Sequence, residues 1–175
     1  MRKLSVVFVL TLLCSYLAVA NPRATTCQDR DNEQNERIAS LVITDVIGKA
    51  QFEEGQHFFA QDSTIHFGDK DLTLRAAIEE AQSWRRVAPD FEIKVVSIES
   101  RCDRVTVHWT ASGTNTGTGE GLPKPTGKHI RTHGSGEFLF ANGRIAESWL
   151  HWNEEEVVRQ LLGGDPDDKD SKDHK

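Results

Sequence analysis

Several things are scarce in this sequence, and each shortage narrows what the protein can be. Its single tyrosine and single methionine are Tyr16 and Met1, so residues 21–175 contain neither. A phenol acting as acid is therefore excluded from that segment. No Asn-x-Ser/Thr triplet occurs, so N-glycosylation is not expected. There is no basic excess: 21 Lys and Arg face 27 Asp and Glu, a net charge of -6. That argues against a phosphate-backbone binder, and no nucleic-acid partner is expected. Only one long apolar run exists, which excludes a multi-pass membrane chain. The Gly-x-Ser-x-Gly elbow of serine hydrolases is missing. Gly117-Thr118-Gly119-Glu120-Gly121 lacks the Lys and the helix that would make it a phosphate loop.

What is present is an ordinary globular mixture, 37% hydrophobic and 27% charged over 175 residues, enough for one domain. Arg2 and Lys3 precede the apolar run Leu4–Leu13, and Ala18-Val19-Ala20 is a small-x-small cleavage pattern. Residues 1–20 therefore read as a secretory signal peptide, and the run is too short for a stable membrane span. A secreted (extracellular or periplasmic) protein starting at Asn21 is expected, with no membrane insertion after cleavage. Of the three cysteines, Cys27 and Cys102 then remain, and in an oxidising compartment an isolated pair most simply forms one disulfide. Two unpaired thiols are the alternative.

Residues 21–34 are polar and read as a loose N-terminal arm. Ala39, Val42, Ile43, Val46, Ile47 and Ala50 fall on one face of a helix. Thr64–Phe67 reads as a short strand, and Asp71 as the cap of a helix whose buried face is Leu74, Ala77, Ile78, Ala81 and Trp84. After Pro89 the period drops to about two. Strands follow over Phe91–Ile98, Arg104–Ser112, Ile130–Phe140 and Ile145–Trp152, with Asn142-Gly143 as a hairpin turn. Gly113–Lys128 is a loop, either a lip over a cavity or a plain connection. Asn153 and Glu156 form a capping-box-like start to a last helix. Residues 164–175 are a charged tail with no apolar anchor, expected to be disordered. Helices followed by strands predict a single α+β domain, with N-terminal helices packed on a curved antiparallel sheet and an internal pocket between them.

In order and spacing, five segments carry a resemblance: Phe59-Ala60-Gln61-Asp62 through His66, Ala88-Pro89-Asp90-Phe91, Pro125-Thr126-Gly127-Lys128, Asn142 through Trp149, and Arg159-Gln160-Leu161-Leu162-Gly163. With these the chain resembles the SnoaL-like polyketide cyclase (ester cyclase) family, in the cone-shaped superfamily named after nuclear transport factor two. The resemblance covers residues 35–163. It implies the cone fold and acid–base chemistry without a cofactor, carried by a buried carboxylate and a histidine. In much of that family the residue after the last-strand Trp is Asp. Here it is Asn153, which cannot exchange a proton at neutral pH but can still cap a helix.

A regular two-residue turn at Asn142-Gly143 puts Phe138, Glu147, Trp149 and His151 on the apolar, inward side of the last hairpin. Gly134 and Gly136 opposite them would leave room for a ligand. Glu147 becomes the candidate general base and His151 the proton shuttle. His133 points the other way unless a bulge shifts its phase. Trp149, Trp109, Phe138, His66 and Asn153 are the candidate pocket residues. His129 and His133, about 13 Å apart on a strand, cannot share an ion, so no metal is expected. Leu139, Leu150 and Trp152 form an apolar outer patch that suggests a homodimer. Two functions stay open: a binder of a small apolar carbonyl compound that catalyses cyclisation, isomerisation or hydrolysis, or a non-catalytic ligand-binding or dimerisation module.

Overall fold

The structure is a computed structural model, and it describes residues 29–118 and 124–162. The expected signal peptide, Cys27 and the charged tail (164–175) lie outside the described residues.

Helix α1 spans Asp29–Leu41 and continues as a π-helical stretch, Val42–Ile47. It thus starts within the segment expected as a loose arm. Glu33, Gln34, Glu36 and Arg37 are good helix formers, and no Gly or Pro stops the helix from growing back from Ile38. The widening at its end has a local cause. The Thr44 hydroxyl donates back to the Ser40 carbonyl at 3.0 Å, and the Gly48 amide reaches five residues back to Ile43, also at 3.0 Å. The wider turn keeps Val42, Ile43 and Val46 all buried.

Short helix α2 (Phe52–Gly55) leads through one 3-10 turn, Gln56–Phe58, into the sheet. Its strands are β1 (Phe59–Phe67), β2 (Lys70–Thr73), β3 (Glu92–Arg101), β4 (Arg104–Thr114), β5 (His129–Ala141) and β6 (Arg144–Trp152). Their order across the curved, open sheet is β2-β1-β6-β5-β4-β3. The pairing of β1 with β6 is parallel, so the sheet is mixed where a purely antiparallel one was expected. Residues 68–143 lie between these two strands, and parallel pairing needs only a long connection. Strand β2, not foreseen, takes Asp71 out of its expected capping role. The hydroxyl of Thr73 caps α3 (Leu74–Val87) instead, accepting from the Ala76 amide at 3.3 Å.

The hairpin turn is as read: Asn142 and Gly143 have φ of 53° and 74°, which a type I′ turn requires. Its strands do not stay in simple register. Phe140 pairs with Ile145 but Leu139 pairs with Glu147, so Ala146 is an extra residue, a bulge on β6. A second bulge, at Val96 on β3, lies between the Val95–Trp109 and Ser97–His108 pairs.

α1 and its π-helical end pack on the sheet, where Ile43, Val105, Val107, Phe138 and Ile145 are at most 1% exposed. Each such burial stabilises the fold by roughly 1.5–3 kcal/mol. The last helix, α4 (Glu154–Leu161), is capped by Asn153, whose side chain accepts from the Glu156 amide at 3.0 Å. Gln160, 1% exposed, pins α4 to β5: its amide accepts from the Arg131 N–H at 2.8 Å and donates to the Arg131 carbonyl at 2.9 Å.

Candidate functional site

Between the helices and the inward face of the sheet lies a cavity of about 160 Å³. Strand alternation decides which side chains reach it. On β6 these are Ser148, Leu150 and Trp152; on β5, Ile130, Thr132 and Phe138; on β4, Trp109 and Ala111. Val42, Ile43, Val46 and Ile47 of the π-helical stretch close it from one side, and Leu74, Ala77, Ile78, Ala81 and Trp84 of α3 from another. The apolar stripe of α3 thus belongs to the cavity wall.

One wall is aromatic. Trp152 meets Trp84 edge-on at 5.2 Å, Phe67 at 5.3 Å and Trp109 at 6.5 Å between ring centroids. Such T-shaped pairs add about 0.5–1.5 kcal/mol each beyond burial and hold the rings in place. Trp109 is 5% exposed, and its indole N–H has no hydrogen-bond partner among the described residues. A buried N–H without a partner costs about 1–3 kcal/mol.

Of the candidate site residues, Trp109 and Phe138 line the cavity and the others do not. The bulge at Ala146 shifts the rest of β6 by one residue. It turns Glu147, Trp149 and His151 to the outer face and brings Leu150 and Trp152 inward. The outer apolar patch expected from Leu139, Leu150 and Trp152 is thereby reduced to Leu139. His133 is exposed, opposite Thr110, on a stretch of β5 that carries no bulge. Asn153 is exposed and serves as the α4 cap.

His66 also points outward, and there it gathers a cluster. Its Nδ1 is 2.7 Å from Asp71, its Nε2 is 3.6 Å from Glu147, and its ring stacks on Trp149 at 4.9 Å. Arg104 pairs with Glu137 and lies over the Trp149 ring at 5.3 Å. Glu147 keeps 44% of its side chain exposed, so this is a hydrated surface network. Three of the expected candidates, Glu147, His66 and Trp149, do come together, but across the sheet from the cavity.

The loop after β4 is organised by residues that the sequence did not single out. Asp90 accepts from the Thr114 hydroxyl at 2.7 Å and from the Thr114 amide at 2.6 Å. The hydroxyl, then the amide, hold its carboxyl below the usual carboxylate value. Asn115, fully buried, donates to Lys124 O and to Thr126 Oγ1. A short polar residue beside Gly and Thr is the common signal for such turns. Among the described residues, Arg85 is the only ionisable side chain that lines the cavity. No group of His, Cys, Asp and Glu among the described residues is arranged to hold a metal ion.

The sequence profile of the SnoaL-like polyketide cyclases matches residues 37–161. No curated protein matches the sequence. Among solved structures, a protein from Jannaschia sp. CCS1 described as a SnoaL-like polyketide cyclase superposes with a TM-score of 0.70 at 17% identity, covering 79% of this chain and 98% of that one. AclR from Streptomyces galilaeus, described as a hydroxylase, has a TM-score of 0.67 at 20% identity, covering 76% and 83%. An epoxide hydrolase of LEH type from M. tuberculosis has a TM-score of 0.57 at 14% identity, covering 77% and 93%. These likenesses establish a shared fold across proteins of different named activities. With the profile matched over most of its length, the chain belongs to the SnoaL-like polyketide cyclase family.

Proposed function

We propose that this protein binds a compact, largely apolar small molecule in the cavity and runs no acid–base reaction there. One observation carries the reading. Among the described residues the cavity wall holds no carboxylate and no imidazole. Proton-transfer catalysis needs such a group within hydrogen-bond reach of the substrate. Glu147, His133 and His151, the candidates for that work, belong to the outer face, as does His66. An aromatic cavity with few polar groups suits binding. Homodimerisation through the sheet stays part of the proposal, with Leu139 and exposed Val96 as its apolar contacts.

Export belongs to the same reading: a signal peptide at residues 1–20 and a Cys27–Cys102 bridge. Supporting the bridge, Ser100 near the β3–β4 turn donates to Glu36 of α1, and that helix begins two residues after Cys27. Intact mass with and without reductant tests it.

The test of the function is native mass spectrometry of protein purified from its own source. A bound apolar molecule, released on denaturation, is the expected result. Turnover of a carbonyl or epoxide substrate, abolished by Glu147→Gln or His66→Gln, would overturn it.

A further inference from the structure

The cavity contains one charge, and nothing in the described structure neutralises it. Arg85 sits near the end of α3 and lines the cavity, with its guanidinium beside Phe91. It donates to two backbone carbonyls, Gly48 O and, at 3.2 Å, Phe91 O, and its Cζ lies 5.8 Å from the Phe91 ring centroid. Those contacts fix its direction and leave its charge intact. Among the described residues no carboxylate comes within ion-pair distance of it. A guanidinium has five N–H donors, and among the described residues it makes two hydrogen bonds. A cavity with a fixed cation in its wall and, among the described residues, no anion is matched to a ligand that brings the negative charge.

We propose that the ligand is an amphipathic organic acid: a compact apolar body against the aromatic wall and a carboxylate head on Arg85. This rests on the cavity being a binding site, and it adds the ligand's chemical class. The size agrees with a one-ring body, because an apolar cavity of about 150 Å³ accepts benzene. The preference is local, since a protein of net charge -6 repels anions at long range.

The test is a matched pair of probes, 4-phenylbutanoate and 4-phenylbutanamide, nearly equal in shape and differing in charge. Binding is read by tryptophan fluorescence at neutral pH and low salt, for the parent, Arg85→Gln and Arg85→Lys. The parent should bind the acid about ten- to a hundredfold tighter than the amide, the scale of a charged hydrogen bond. Arg85→Gln should bring that ratio to near one, and Arg85→Lys should keep most of it. The ratio is taken within each protein, so a loss of stability in a variant cancels. Equal binding of acid and amide by the parent would overturn the acid assignment alone. A preference for the acid that survives Arg85→Gln would do the same. If neither probe binds the parent, the binding role of the cavity fails, and this inference with it.

Discussion

Gly134→Ala is the sharpest probe of how the cavity is walled. A Cβ added at Gly134 would stand 2.1 Å from the His151 carbonyl oxygen, and 2.5 and 2.8 Å from Cζ2 and Cη2 of Trp109. The carbonyl belongs to β6 and the ring to β4, so the methyl would be gripped from both neighbouring strands. The backbone oxygen cannot rotate away. Relief requires β5 and β6 to part around the Gly134–Trp152 pair and the indole to shift. Overpacking of this kind costs about 1–3 kcal/mol, and a weakened ladder hydrogen bond about 1 more. The better strand propensity of Ala returns about 0.5–1. The expected net is about 1–3.5 kcal/mol, or roughly 2–14 °C in Tm for a domain of this size. Gly136→Ala is the control. Its Cβ would meet Phe138 ring atoms at 3.0 Å and Ile43 Cδ1 at 3.3 Å, side-chain ends that can yield, so its cost should stay below about 1 kcal/mol. Thermal and urea unfolding of both variants decides the matter. If Gly134 instead leaves room for ligand, its Ala variant would keep full stability and lose only affinity. A Gly134→Ala protein within about 0.5 kcal/mol of the parent would refute the packing described.

Glu147→Gln should change stability by less than about 1 kcal/mol, the range of exposed ion pairs, and should leave ligand affinity unaltered. Calorimetric titration checks both, and a large loss of affinity would return Glu147 to the site. Asn153→Ala should cost about 1 kcal/mol through the lost cap, while Asn153→Asp should stay within a few tenths; urea midpoints measure each. Asp90 has a lowered pKa in the folded protein. Its contribution is therefore present above the unfolded value of about 4 and disappears as pH falls through the folded value. Acidification from about pH 5 to 3 should thus lower the Tm of the parent more than that of Asp90→Asn; equal slopes would count against the Asp90–Thr114 tie.

Much of the fold was legible because it rests on periodicity: the faces of α1 and α3, the alternation of β4, and the Asn142-Gly143 turn. The short β2 was not, because Lys70–Thr73 has no apolar alternation of its own and exists through pairing with β1. The site was misplaced for one physical reason. Periodicity assumes an unbroken count, and a single extra residue at Ala146 reverses every side chain after it. A clue stood in the sequence. The unbulged register buries Glu147 and His151 and exposes Leu150 and Trp152, against the ordinary preference of all four. The bulge exchanges the pairs. The ring of Trp109 occupying the space beside Gly134 was out of reach, since it depends on the distance between strands.

The central claim is that the cavity binds ligand and that β6 presents Trp152, not Trp149, to it. The protein has four tryptophans: Trp84, Trp109 and Trp152 line the cavity, and Trp149 is on the outer face. A nitrogen–proton correlation spectrum of the four indole N–H groups, recorded during titration with 4-phenylbutanoate, reads both parts at once. The account predicts shifts at Trp84, Trp109 and Trp152, with Trp149 unmoved. A shift at Trp149 with Trp152 unmoved, or no shift at any of the four, would contradict it.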